Sequence, residues 1–380
     1  MIPVNEPVIR EREFEYVQEC LSTGWISSAG RFIGAFESAW AEYCQMKHGI
    51  AVSNGTVALE MALRALKLQP GDEVILPTMT IISCASAIAY NDAIPVLVDC
   101  DPRTWCMDVS QIEDRINSRT RAIMPVHIYG HPADMDPVMR IALDHELQVI
   151  EDSAEAHGAQ YLTGREEVDE RWAPCGSLGD ISVFSFYANK PITTGEGGML
   201  LTNDDATAER LRYLRNMCYR TDRRFYHTEL GFNFRMTNLQ AAVGLAQVER
   251  IDEIVQRKRH VGQRYTEGLA DVPGLQLPVE EPWAKQVYWM YGVVVDDATG
   301  LDGAEFAGML AEKEIQTRPF FLGMHRQPAL TERGFFEGAE FPVADRLARQ
   351  GLYLPSGLAL TDDQLDQVIE GVRDSMSTVH

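Results

Sequence analysis

Lys190 has the most reactive setting in the chain. It lies in Asp180–Asn203, DISVFSFYANKPITTGEGGMLLTN, between two apolar runs that read as strands. Pro191 follows at once, and proline cannot continue a ladder, so the chain turns at the lysine. An amine at the mouth of buried strands is costly unless neutralised or bonded, and an unprotonated amine is what a carbonyl-bearing cofactor needs. A lone turn lysine is more often solvent-facing. Here Thr193, Thr194, Gly195, Glu196, Gly197 and Gly198 crowd beside it, leaving room for a bound molecule and supplying donors to it. Asp152 ends the apolar run of QVIEDSAEAHGA. An acid there is usually a helix cap or a loop solubiliser. The alternative is a carboxylate that holds a protonated nitrogen, because an ionised buried acid needs such a partner. Ser53, Asn54, Gly55 and Thr56 join a strand to a helix, which makes either an anion site or an ordinary N-cap. The residues leave both open.

These groups need a scaffold, and the hydrophobic pattern supplies one. Strands are expected at Gly49–Ser53, Val74–Leu76, Pro95–Val98, Ala122–His127 and Gln148–Glu151. Helical segments alternate with them, at 56–68, Thr80–Tyr90 and Asp134–His145. Such alternation implies an α/β chain with a mainly parallel sheet covered on both faces, whose ligands sit beyond the carboxyl ends of the strands. Ser53–Thr56, His127, Asp152 and Lys190 all fall at those ends. Before them, Glu11–Leu21 and Phe36–Tyr43 read as helices and Trp25–Gly34 as a loop. After them come helices at Asp205–Cys218 and, capped by Thr237 or Asn238, through Ile251. Pro273, Pro278 and Pro282 punctuate a linker-like stretch. A strand at Tyr288–Val295 and helices at Ala304–Lys313 and Leu365–Val372 then suggest a smaller α+β domain. The expected division is a cofactor-binding domain over 1–250 and a C-terminal domain over 251–380. Thr163–Pro174, TGREEVDERWAP, reads as an exposed charged insertion, and Arg212, Arg215, Arg220, Arg223 and Arg224 as a solvated basic face.

The 380 residues carry a net charge of −22 and a pI near 4.8, which argues against general binding of nucleic acid or anionic membrane. Seven scattered cysteines without a C-x-x-C pair favour a reducing compartment over a disulfide framework or a zinc site. No stretch is apolar and long enough to span a bilayer, and the N-terminus lacks an apolar leader core, so the expectation is a cytoplasmic protein.

SNGTVAL, IMPVHIYGHPADM, VIEDSAEAHGA, GSLGDISVFSFYANKPITTGEGGM and GFNFRMTNLQAA, in that order, resemble the DegT-type pyridoxal-phosphate-dependent nucleotide-sugar aminotransferases. The resemblance spans nearly the whole chain, weakening from Val261 onward. It implies the aspartate-aminotransferase fold (fold type I) and amino transfer from L-glutamate to the 4-keto group of a nucleotide-linked 6-deoxyhexose, with GDP as the nucleotide. Lys190 would bond the cofactor and carry the proton, Asp152 would pair with the pyridinium nitrogen, and Gly55, Thr56 and Ser185 would hold the phosphate. Glu155 and Ile81 would lie near the ring, and Asn233 would reach the phosphate from a second subunit, making a homodimer with shared sites. His325, Asn189 and Arg31 would face the substrate. Ile81 departs from the family, which often has an aromatic residue there, and the 163–174 insertion is longer than expected.

Other readings remain beside this one. The cofactor residues do not separate 3- from 4-amination, nor GDP from dTDP or UDP. Sugar dehydratases of the same fold carry histidine where this chain has Lys190. A non-catalytic ligand-binding regulator would have lost Lys190 or Asp152. No G-x-G-x-x-G follows the first strand, which weakens a dehydrogenase.

Overall fold

A computed structural model describes residues 1–165, 169–220, 222–223 and 225–377. Fourteen strands are assigned among them. The first nine are His48–Val52 (β1), Glu73–Pro77 (β2), Ile94–Val98 (β3), Thr120–Ile123 (β4), Gln148–Asp152 (β5), Gln160–Thr163 (β6), Arg171–Pro174 (β7), Ile181–Ser185 (β8) and Gly198–Thr202 (β9). Leu275–Gln276 (β10), Ala284–Lys285 (β11), Tyr291–Val295 (β12), Arg318–Pro319 (β13) and Gly351–Leu354 (β14) follow.

The large sheet has the order β1-β9-β8-β5-β4-β2-β3. Pairs β8–β5, β5–β4, β4–β2 and β2–β3 are parallel. β9 runs against both its neighbours, because the 186–197 segment contains no helix to cross over the sheet and the chain folds straight back. β2 and β9 are buried along their whole length, as continuous apolar runs in a doubly covered sheet should be. The register sets Gly198 opposite Val52 on one side and Ser185 on the other. Three chain segments thus meet at one rim of the sheet.

The C-terminal layer is an antiparallel sheet, β10-β12-β14-β13. Its core includes Val261, Tyr265, Tyr291, Val293, Phe306 and Leu310. The helix Ile251–Leu269 ties the layers together. Ile251 and Ile254 pack in a cluster with Phe36 and Trp40, while Val261, Tyr265 and Leu269 pack on the small sheet. The chain start joins the C-terminal layer too, through Ile2 N to Glu314 O and Ser356 N to Val4 O.

Several expectations need correction. The second helix begins at Arg31, inside the expected Trp25–Gly34 loop, because Phe32, Phe36 and Trp40 share one buried face. The charged insertion is flanked by a hairpin: β6 pairs β7, and β6 also pairs β11. Its turn was legible, but its strands were not, since Tyr161 is buried by Trp283 from a distant segment. Residues 166–168 of that insertion lie outside the described residues. The helix Pro342–Gln350 and strand β14 were not anticipated. Among the described residues, no helix is long and apolar enough to cross a membrane.

Candidate active site

The helix Gly55–Ala65 starts at the rim, directly after β1. Asn54 caps it, accepting the Val57 N–H at 3.0 Å. The first-turn N–H groups of Gly55 and Thr56 have no partner within a helix, so this end attracts an anion. Hydroxyls gather there. Thr56 Oγ1 lies 2.8 Å from Ser83 Oγ, and Ser185 stands against Gly55. A Cβ on Gly55 would come within 2.8 Å of Ser185 Cβ, so only glycine lets these segments approach so closely.

Asp152 closes β5. Side chains alternate along a strand, so Glu151 and Asp152 point to opposite faces. Glu151 is consumed structurally, by His127 Nε2 at 2.8 Å and by the N–H groups of Gly176, Leu178 and Gly179. His127 therefore belongs to that buried pair and not to the cavity, contrary to its expected place at the site. Asp152 faces the cavity. Its Oδ1 accepts the Ala154 N–H at 3.0 Å and its Oδ2 the Cys84 thiol at 3.1 Å. Burial holds its pKa above the ordinary carboxylate value, against the pull of these hydrogen bonds and Lys190. A cationic partner for that carboxylate would reverse the shift.

Lys190 enters from a turn that the neighbouring threonines maintain. Its N–H donates to Tyr187 O at 2.9 Å. Thr193 Oγ1 donates to Phe186 O at 3.0 Å, and Thr194 Oγ1 to Glu196 O at 2.7 Å. Gly195 has φ +80°, a conformation that favours glycine. These hydroxyls were expected to serve a ligand, but they are spent on the turn. The ammonium lies 3.6 Å from Glu155 Oε1 and 3.5 Å from the centroid of the Trp289 ring. Burial lowers the Lys190 pKa and raises that of Glu155; each charge opposes the other's shift.

A cavity of about 590 Å³ joins these groups. Of the sequence-predicted residues, Gly55, Thr56, Ile81, Asp152, Glu155, Ser185, Asn189 and Lys190 line it. Arg31, Asn233 and His325 do not. Arg31 is ion-paired with Glu19 over the Phe32 ring. Asn233 is exposed and pairs through its backbone with Asn216. The His325 ring is buried between Thr78 Oγ1 at 2.8 Å and Asp345 Oδ1 at 2.9 Å, so both nitrogens are engaged within this chain. Trp289, Tyr353, Phe321 and Ser83 line the cavity without having been anticipated, while Glu196 lines it from the stretch expected beside Lys190. Of these four, Ser83 carried a local signal, as a hydroxyl shortly after Pro77-Thr78-Met79-Thr80 at the start of the helix Ser83–Tyr90. The basic run is mostly self-satisfied. Arg215 bonds Glu37 and Ala51 O, Arg220 pairs with Asp222, and Arg223 lies over Tyr226. Arg224 lies outside the described residues.

The donors suit pyridoxal phosphate. Unpaired N–H groups and hydroxyls fit a phosphate, a buried carboxylate without a basic side chain paired to it fits a pyridinium nitrogen, and a buried amine fits a carbonyl. Sheet, cavity and lysine together define a pyridoxal-phosphate-dependent aminotransferase of fold type I. Residues 7–373 match the model of the DegT/DnrJ/EryC1/StrS aminotransferase family, and the chain belongs to that family. It is 44% identical to a GDP-perosamine synthase of Caulobacter vibrioides over 97% of this chain and 96% of that one. It is 40% identical to a GDP-perosamine synthase of Escherichia coli O157:H7 over 99% of both. The solved structure of DesV from S. venezuelae is 35% identical and superposes with a TM-score of 0.87, covering 96% of this chain and 94% of the other.

Proposed function

We propose that this protein transfers the amino group of L-glutamate to the C4 keto group of GDP-4-keto-6-deoxymannose, giving GDP-perosamine. The observation that carries this reading is the near full-length identity of 44% and 40% to two proteins named for that product. When bound, pyridoxal phosphate supplies an electron sink that accepts the amino group from one substrate and yields it to the next. Gly55, Thr56, Ser83 and Ser185 would hold its phosphate at the helix start. Asp152 would keep its ring nitrogen protonated, and Ile81, on the cavity wall, would lie near the ring. Lys190 Nζ would carry a proton between the substrate carbon and the cofactor carbon within each half-reaction, in one direction for the donor and the opposite direction for the acceptor. Phe321 and Tyr353 add aromatic surface to the cavity wall.

The active assembly in this reading is a homodimer. Asn233 lies outside its own chain's cavity and is exposed, which suits a role in a partner's site.

Product analysis by mass and NMR tests the proposal. The holoenzyme with L-glutamate is offered GDP-4-keto-6-deoxymannose beside dTDP- and UDP-4-keto-6-deoxyglucose. Preferential formation of GDP-perosamine is expected. Amination of only a dTDP or UDP sugar would overturn the nucleotide assignment. Amination of none, despite conversion of the cofactor by glutamate, would overturn the 4-keto acceptor.

A further inference from the structure

Both neighbours of the Lys190 ammonium are held in place. Glu155 is buried, and its Oε2 accepts the Tyr129 N–H at 2.7 Å. Tyr129 has φ +53°, an uncommon conformation for a bulky residue, and this geometry presents its N–H to the carboxylate. Trp289 is also buried. Its Nε1 donates to Asn189 O at 2.8 Å, and its own carbonyl accepts from Lys258 Nζ at 2.8 Å. The carboxylate follows β5 and the indole precedes β12, so two layers of the fold converge on one nitrogen. A carboxylate and an indole face stabilise an ammonium, not an amine. Burial alone would suffice if the lysine only had to be unprotonated.

We propose that Glu155 and Trp289 form a seat for the protonated state of Lys190. The seat lets the lysine retain its proton between transfers in a cavity whose burial would otherwise strip it away. The use of that proton rests on the transamination reading; the seat itself does not.

The Asp152 carboxylate also favours the cation. Glu196 and Tyr353 line the same cavity. Behind the turn, a small hollow lined by Lys190 also reaches Glu6 and Lys258. Burial alone pushes the Lys258 pKa down to about 7, so it adds little positive charge above neutrality. His157 packs nearby and is held neutral by burial. Glu155 is the nearest charge, at 3.6 Å.

The rate at which apoenzyme captures pyridoxal phosphate covalently, read by absorbance across pH, tests the seat. Only the unprotonated amine reacts, so the midpoint of the rate profile reports Lys190. Glu155→Gln keeps the volume and an acceptor for the Tyr129 N–H but removes the charge. Its midpoint should fall by about one to three pH units. Trp289→Leu should lower it by about half a unit to one unit. A purely structural role would reduce thermal stability and leave both midpoints where they were. Unchanged or raised midpoints in folded variants overturn the proposal. If Trp289→Leu does not fold, Glu155→Gln decides alone. No sugar enters this assay, so shifted midpoints with no amination of any acceptor would uphold the seat and reject the proposed reaction.

Discussion

Gly55→Ala offers a quantitative probe of the phosphate cradle. The new Cβ would lie 2.8 Å from Ser185 Cβ and 3.2 Å from its Oγ. Ser185 sits at the end of β8, whose neighbours β5 and β9 are both paired to it, so it has little freedom to retreat. Gly55 is already helical, so alanine adds no backbone strain. Overpacking of this kind costs about 1–3 kcal/mol. The relief is a shift of the helix start away from the anion, which forfeits up to about 2 kcal/mol of N-terminal attraction. The overpacking lowers apoenzyme stability, and the lost N-terminal attraction weakens cofactor binding by up to about 30-fold. The assay is titration of apoenzyme with pyridoxal phosphate, followed by absorbance, beside thermal melts of the apoenzyme. Ser185→Gly in the same chain removes the opposing Cβ and should recover part of the loss, so the two changes should not add. Gly308→Ala, where nothing lies within 4 Å, is the control and should leave affinity unchanged. Affinity of Gly55→Ala within threefold of the parent, with an unchanged melting temperature, would refute the close-approach reasoning.

Lys190→Ala should abolish turnover in both half-reactions while the cofactor still binds; undiminished turnover would remove Lys190 from the mechanism. Asp152→Asn breaks a buried charge pair worth about 3–5 kcal/mol, so kcat should fall by about 100-fold or more, read in steady state with saturating cofactor. Burial depresses the folded-state pKa of His131 from 6.5 to about 4 and of His157 to about 3. The unfolded chain therefore binds these protons first. Stability is complete above pH 6.5 and is lost as pH falls, by about 3 kcal/mol for each histidine at pH 4. Urea unfolding between pH 7 and 4 should show that slope, and His157→Phe, in its cluster of Trp40, Phe184 and Phe186, should flatten it. A hybrid dimer of Lys190→Ala and Asn233→Ala subunits should regain one working site if Asn233 acts across the interface; inactive hybrids would count against shared sites.

Much of the site was legible because its chemistry is local in sequence. The lysine with its following proline, the acid closing an apolar run and the small-residue turn before a helix each carry their own signal. The strand–helix rhythm implied the parallel sheet, and a parallel sheet collects the carboxyl ends of its strands along one rim. The threonines after Lys190 were misassigned because a hydroxyl that bonds a ligand and one that bonds its own backbone look alike in a sequence. Arg31 and His325 likewise have side chains able to bind substrate, but within this chain they are engaged by Glu19, Thr78 and Asp345. The charged insertion concealed a hairpin because Tyr161 finds its burial against Trp283, far along the chain.

The sequence by itself determined the α/β scaffold, the reactive lysine, the paired acid and the family they mark. Those depend on residue type and short-range spacing, which the covalent chain records directly. Only the tertiary structure decided what surrounds the amine and which polar side chains remain free. Glu155 and Trp289 meet Lys190 from segments that adjoin only after the layers pack, and the burial that shifts these groups' protonation is created by that packing.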